Sequence, residues 1–404
     1  MRRSFRAARR ARYSTDMKSL KDSLDALCIF RDILSDPVIS ALYEYIDTPS
    51  ISAYSKFVSL LYDVNGGDLS EYVKVLCENS ENAYVKTLGQ KKSVPEYMYA
   101  SLDSELDVLS AISHLTKDSL CAALSYKGFL PDFAQSDIDL KEMYLHRIEN
   151  IEKYGYGIYA KNRMFYVNEH DDIVPVRNPD KTRLSDLVDY ERERQIILDN
   201  TKALLLGKPA ANILLTGDAG TGKSSTVKAV ANELYNEGLR IIEVRKDQLR
   251  AIPKILDELS QNPLKFVLFI DDLSFLKDDD NFNALKAVLE GSVTMKSENV
   301  VIYATSNRRH IIKEKFSDRE GDDIHRNDTM QELISLSERF GIHVTFSKPN
   351  KATYLNIVHH LAEECGITME KDELDMLAER FAIERGGRSA RLARQFIDGI
   401  LSKI

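Results

Sequence analysis

The chain has four cysteines and eight histidines in 404 residues, and neither set has the spacing of a metal site or a disulfide framework. Cys28, Cys77, Cys121 and Cys365 form no CxxC pair. Buried free thiols in a reducing cytosol are therefore expected, with a cytoplasmic location. The histidines are scattered, and the adjacent pair His359–His360 would face different directions on a helix, whereas ligand pairs recur at i, i+4. Apolar runs are short, such as Phe266–Ile270, against the ~20 residues needed to cross a bilayer. No membrane partner is expected. Basic charge is in deficit: 55 Lys+Arg against 63 Asp+Glu leave a net charge of −8. As a whole the chain is no electrostatic trap for nucleic acid. Low complexity is also missing, since 43% hydrophobic and 29% charged residues are ordinary for a folded protein. At roughly 100–200 residues per domain, the length suggests two or three domains.

The first sixteen residues hold six arginines against one acid, Asp16, so the remainder carries −13. Such an Arg- and Ser-rich start resembles a mitochondrial presequence. The expectation adopted is a disordered basic extension over 1–16, with Met17 as an alternative first residue. Residues 17–150 read as a helical domain: Leu20, Leu24, Leu27 and Cys28, then Leu102, Leu106, Leu109 and Ile112, recur at three and four spacing. Asn65-Gly66-Gly67 and Ser93-Val94-Pro95 punctuate the helices. This half carries no catalytic constellation and reads as an interaction or oligomerisation module. Residues 151–183 contain short β-prone runs, Met164–Val167 and Ile173–Val176, and read as a small antiparallel connector. From residue 184 compact apolar runs alternate with helical patterns: Ile213–Thr216, Arg240–Val244, Phe266–Ile270, Val300–Ala304 and Ile342–Phe346. Alternation of this kind predicts a parallel sheet covered on both faces, over 184–346. Three further helical patterns fill 347–404.

The strongest chemical signal is GDAGTGKS, Gly217–Ser224, which matches a phosphate-binding loop. A chance match in a chain this long is on the order of 1% at average residue frequencies. Here the loop follows the strand-like NILLT and opens a helix, as its mechanism requires. Gly217, Gly220 and Gly222 let the backbone turn so that amides of Asp218, Ala219, Thr221 and their neighbours through Ser225 can face phosphate oxygens. The helix N-terminus adds favourable partial charge. Lys223 would reach the β- and γ-phosphates of ATP, and the Ser224 hydroxyl would ligate Mg²⁺. The second signal is FVLFIDD, Phe266–Asp272, an apolar strand delivering two carboxylates to the sheet edge where ligands sit. Asp271 would hold the Mg²⁺ shell, and Asp272 would orient and deprotonate the attacking water.

Together GDAGTGKS, FVLFIDD, VIYATSN, LSERFG and GGRSAR resemble the motif series of AAA+ ATPases. Within that class, residues 184–404 are similar to a set of bacterial ATP-binding proteins of unestablished role. NILLTGDAGTGKSS, RKDQL, ILDELSQNP, FIDDLSF, ALKAVLEGS, YATSNRRH, FSDREGDDIHRNDTMQE and LSERFG all fit it. The resemblance implies an α/β core with a five-stranded parallel sheet and a C-terminal three-helix lid, preceded by the mainly helical domain. It also implies roles for single residues. Asn307 would be sensor one, contacting the γ-phosphate or water, and Arg339 an arginine finger for a neighbouring subunit, worth ~10³–10⁵ in rate. Arg391 would be sensor two, with Arg388, read as one turn earlier on the same helix face, as the alternative. Val188 and Tyr190 occupy the place where the class packs adenine. An oligomeric Mg²⁺-dependent ATPase follows, a ring or arc of identical subunits with six as the expected number. It would remodel or load an unknown protein partner through the helical domain.

There are departures from the class. Asp272 stands where Glu is usual, one methylene shorter, which opens the alternative of a nucleotide-gated switch with negligible hydrolysis. RKDQLRAIPKI lacks the aromatic–aliphatic–glycine triplet that grips polypeptide in unfoldase pores. The lid, with nine Lys/Arg and nine Asp/Glu, is neutral and carries no basic helix pair for reading DNA. The segment Lys313–Glu332 is dense in both charges and reads equally as a solvated loop or as a subunit contact supplying Arg319 or Arg326.

Overall fold

A computed structural model describes residues 17–122, 124–273, 280–290, 298–307 and 338–402. The basic extension 1–16, Arg319 and Arg326 lie outside the described residues. The chain divides into two compact units, 1–161 and 162–404, each with its own core.

The first unit is helical: α1 (Met17–Asp25), α2 (Pro37–Asp47), α3 (Ile51–Asn65), α4 (Leu69–Asn79), α5 (Ala83–Gly89), α6 (Glu96–Ser113), α7 (Lys117–Cys121), α8 (Leu140–Glu149) and α9 (Ile151–Tyr154). Local chemistry sets several of their starts. The Asp36, Ser50, Asp68 and Asn82 side chains each accept a backbone N–H in the first turn of α2 to α5, and each such cap contributes about 1 kcal/mol. Gly66 ends α3 in the left-handed conformation, φ +72°, where glycine avoids the Cβ clash. The spacing read from sequence is the spacing that packs: Leu102, Leu106, Leu109 and Ile112 of α6 are fully buried. The thiols depart from expectation. Cys77 is buried, but Cys121 and Cys365 are half-buried and Cys28 is exposed. The helical repeat that included Cys28 stops with α1. Beyond it the amides of Cys28, Ile29 and Phe30 all donate to the buried Glu105 carboxylate, at 2.9–3.0 Å, and the Cys28 thiol donates to it as well, at 3.0 Å, which holds the cysteine at the surface of the unit.

The second unit holds a seven-stranded sheet in the order β2-β1-β4-β5-β6-β3-β7. Its strands are β1 (Met164–Val167), β2 (Ile173–Pro175), β3 (Ile213–Gly217), β4 (Leu239–Glu243), β5 (Lys265–Ile270), β6 (Val300–Ser306) and β7 (Ile342–Phe346). The five expected strands, β3 to β7, are all present and pair with one another in parallel. The hairpin read as a connector makes the difference. β1 and β2 pair antiparallel, and β1 runs parallel to β4 with Met164 opposite Ile241. Met164, Phe165 and Val167 are buried there, and Gln248 fastens the hairpin by donating to the Val167 and Asn168 carbonyls. The hairpin makes β4 an interior strand and leaves the three-residue β2 as the sheet edge, a short edge of the kind that resists pairing with another chain.

β5 and β6 are buried along nearly their whole length, as strands with helices on both faces must be. Each Phe, Leu, Ile or Val so buried contributes about 1.5–3 kcal/mol. Helices α10 (Glu191–Leu205), α11 (Lys223–Glu233), α12 (Ile252–Ser260) and α13 (Asp280–Glu290) belong to the sheet layer. Helices α14 (Lys351–Glu364), α15 (Lys371–Glu384) and α16 (Ala390–Leu401) form the lid, with its own cluster around Tyr354, Val358, Ala378 and Ile397. Among the described residues, no helix is long and apolar enough to cross a membrane.

Candidate nucleotide site

The parallel strands place the chemistry-bearing residues along one sheet edge. Gly217 ends β3, Asp271 and Asp272 follow β5, and Asn307 follows β6. Because β3 pairs with both β6 and β7, the start of the glycine loop lies in register with the ends of its neighbours, Gly217 opposite Phe346. Gly217 has φ +140°, and a Cβ there would overlap the Phe346 carbonyl oxygen. Gly220 and Gly222 have φ +80° and +92°. These are conformations that residues with a Cβ rarely adopt. The Thr221 hydroxyl donates to the Asp218 carbonyl at 2.9 Å, which ties the loop to itself.

Lys223 begins α11 and is buried. Its ammonium donates to the Gly217 and Asp218 carbonyls at 2.9 and 2.7 Å and to Asn307 Oδ1 at 3.0 Å. Burial lowers its pKa from the ordinary lysine value, opposed by Asp218, Asp271 and Asp272 and aided by the positive charge of Arg391. Asn307 in turn donates through Nδ2 to Asp272 Oδ1 at 2.7 Å. Asp271 Oδ1 accepts from the Ser224 hydroxyl at 2.7 Å. The structure thus brings together Lys223, Ser224, Asp271, Asp272 and Asn307 at one sheet edge. Asp272 has φ +52°, a strained backbone for a residue other than glycine.

The lid reaches this loop through α16. The Arg391 amide donates to the Gly220 carbonyl at 3.3 Å, and a Cβ on Gly220 would lie 3.0 Å from Arg391 Cβ and 3.1 Å from Ser389 Oγ. Arg388 is elsewhere. It precedes the helix, whose N-cap is Ser389, and its guanidinium makes a two-pronged pair with Glu379 of α15 at 2.8 and 2.7 Å. The reading of Arg388 as one turn earlier on the same helix is therefore corrected: the glycine pair Gly386–Gly387, at φ +85° and +151°, carries the chain outside helical geometry. Val188 packs against the lid cluster and Tyr190 against the sheet cluster. The Tyr190 ring lies 5.2 Å from that of Phe346, and its hydroxyl donates to the Ser347 carbonyl at 2.5 Å. Both residues stand where core meets lid. Burial pushes the Tyr190 hydroxyl up to about 12. Arg339 forms an ion pair with Glu290 at the end of α13.

Three contacts were not anticipated from sequence: Glu379 as a partner of Arg388, Glu290 as a partner of Arg339, and Thr305. The Thr305 hydroxyl donates to Asp271 Oδ1 at 2.6 Å and accepts from the Asp272 amide at 2.9 Å. A signal for it existed, because residues i and i+2 of a strand share a face and Thr305 stands two before Asn307.

The residues fit a nucleotide with its metal. The positive-φ glycine loop at the start of a helix is an anion cradle, and a hydroxyl beside a carboxylate is a hard oxygen pair of the type magnesium takes alongside phosphate oxygens. Among the described residues no group of three or more His, Cys, Asp or Glu could hold a metal by itself.

A family model described as "Protein of unknown function (DUF815)" matches residues 160–404. The chain belongs to that family. The matched part begins two residues before the sheet unit and includes the whole lid. No curated protein matches the chain. Among solved structures, the Thermotoga maritima RuvB Holliday junction branch migration motor is 17% identical over 54% of this chain and 63% of its own, with a TM-score of 0.38. A proline-to-glycine mutant of the same RuvB is 16% identical over 54% and 64%, with a TM-score of 0.39. The chain thus spans less than two thirds of either.

Proposed function

We propose that this chain binds Mg²⁺–ATP between the sheet and the lid and hydrolyses it. The observation that supports this best is the convergence of Lys223, Ser224, Asp271, Asp272 and Asn307 beside a helix N-terminus. Loop amides between Asp218 and Ser225 bind the phosphate oxygens. Lys223 exchanges its contacts with the Gly217 and Asp218 carbonyls for the β- and γ-phosphates, and Val188 and Tyr190 pack the base. Ser224 and Asp271 would hold Mg²⁺, which neutralises charge on the phosphates when bound. Asp272 accepts the proton of the attacking water while Asn307 holds the carboxylate in place. Arg391, backed by its contact with the loop, senses the γ-phosphate from the lid.

Arg339 of an adjacent copy would add a second cation beside Lys223, in a ring or arc with six subunits as the expected number. Lid movement on turnover would then drive the helical N-terminal unit against a protein partner. The net charge of −13 outside the first sixteen residues favours protein over nucleic acid as that partner. A cytoplasmic setting agrees with the four free cysteines. The test is ATP turnover of wild type, Lys223→Ala, Asp272→Ala and Arg339→Ala. Turnover lost in each alone, and regained by mixing the Lys223 and Arg339 variants, supports a shared site. Unchanged rates in the Asp272 and Arg339 variants would sink both assignments.

A second reading is a nucleotide-gated switch with negligible turnover. The short Asp272 side chain, already engaged by Asn307 at 2.7 Å, favours it, since a carboxylate so held has less freedom to reach a water. Tightly retained nucleotide with no phosphate release, even from assembled protein, would select this reading.

A further inference from the structure

We propose that Thr305 is a positioning residue that sets the metal-side and water-side carboxylates of the site in register; this rests on the reading of the site as a Mg²⁺–ATP centre. Thr305 lies on β6 and is 2% exposed. Its hydroxyl joins Asp271 Oδ1, 2.6 Å away, to the Asp272 amide, 2.9 Å away. The direction of each bond is fixed by chemistry. An amide only donates and a carboxylate only accepts, so the single hydroxyl proton goes to Asp271 and its lone pair takes the amide. A donor–acceptor relay of this kind is mutually polarised, each bond strengthening the next. The same residue's carbonyl accepts from the Leu273 amide at 2.7 Å. One residue of the neighbouring strand therefore grips three consecutive positions after β5.

That grip answers two features of the site. Asp272 sits at φ +52°, a backbone state that persists only where the surroundings hold it, and Thr305 bonds both its amide and that of the next residue. Asp271 Oδ1 receives Ser224 at 2.7 Å as well as Thr305, and two hydroxyl donors on one oxygen fix the plane of the carboxylate. Without the Thr305 hydroxyl, Asp271 Oδ1 retains Ser224 and its neighbour's amide, the latter at 3.2 Å. The carboxylate is then freer to rotate, and the Asp272 amide loses its nearer acceptor. A group one step behind a metal ligand acts in this way on metal affinity, typically by about 10–100-fold.

Calorimetric titration of ATP into the full chain, with Mg²⁺ varied and with EDTA, separates this role from a purely structural one. For Thr305→Val, which keeps the shape and removes the hydroxyl, the Mg²⁺ needed for half-maximal tight binding rises about tenfold or more. ATP affinity in EDTA stays at the wild-type value, and kcat falls more than KM changes. Thr305→Ser, which keeps the hydroxyl, restores the Mg²⁺ dependence to within about threefold of wild type. If the valine variant fails to fold, Thr305→Cys, a weaker donor of similar size, must show the same deficit in reduced form. Wild-type Mg²⁺ dependence in the valine or cysteine variant overturns the proposal, as does an equal loss of affinity in EDTA. The underlying reading fails differently: wild-type ATP binding would then be indifferent to Mg²⁺ or survive Lys223→Ala.

Discussion

Replacing Asn307 with alanine should separate binding from turnover. Asn307 stands between a cation and an anion, accepting from Lys223 at 3.0 Å and donating to Asp272 at 2.7 Å. The two bonds have opposite consequences. Losing the first leaves Lys223 with two backbone acceptors at 2.9 and 2.7 Å. It also removes one competitor for the ammonium, so nucleotide affinity should change by less than about threefold, under 1 kcal/mol. Losing the second frees the Asp272 carboxylate, the base in the proposed hydrolysis. A hydrogen bond to a charged group contributes about 1.5–3 kcal/mol. At ~1.36 kcal/mol per decade of rate this is a fall of about 10- to 150-fold in kcat. Steady-state turnover and calorimetric affinity on the same preparation measure the two effects. The double variant Asn307→Ala with Asp272→Asn should be scarcely slower than Asp272→Asn alone, because the asparagine acts through that carboxylate. A Kd raised as far as kcat is lowered, or additive losses in the double variant, would refute the reasoning.

Two further outcomes follow from the same geometry. Gly217→Ala places a Cβ against the Phe346 carbonyl at φ +140°. Strain and overpacking of about 1–3 kcal/mol each should lower Tm in thermal unfolding and abolish ATP binding, whereas a stable variant with intact binding would mean the loop closes otherwise. Arg388→Gln and Arg391→Gln should divide stability from binding: the first lowers Tm with affinity retained, the second weakens ATP binding about tenfold, the low end for a lost charged hydrogen bond, with Tm retained. The first effect depends on pH, because the Arg388 guanidinium holds the Glu379 carboxyl below its ordinary value of 4.5. A native pKa depressed in this way contributes stability above the unfolded value that is lost as pH falls through the native one. The Tm gap between wild type and Arg388→Gln should therefore be full at neutral pH and close in acid; a gap that stays constant below the ordinary carboxyl range would remove Glu379 from the account.

What could be read from the sequence, and what could not, divides by the distance over which each feature is determined. The five core strands were legible because a parallel strand buried on both faces must be an unbroken apolar run, as Phe266–Ile270 is. The glycine loop was legible because its conformation is fixed within a single short segment. The hairpin of β1 and β2 was visible as β-prone, but strands so short carry no register signal, so their place beside β4 could not be read. The choice between Arg388 and Arg391 was open for the same kind of reason. Spacing along one helix treats them alike, and it is Glu379, on a different helix, that holds Arg388 away from the loop. Thr305 is the instructive case. Its side chain was predictable as sharing a face with Asn307, since the two stand two apart along one chain segment. Its role was not, because a threonine gains meaning here only from Asp271 and Asp272 at the end of another strand. Motif reading finds residues that touch the ligand; the groups that hold those residues in place are set by pairing between strands, and a single sequence does not record which strands will pair.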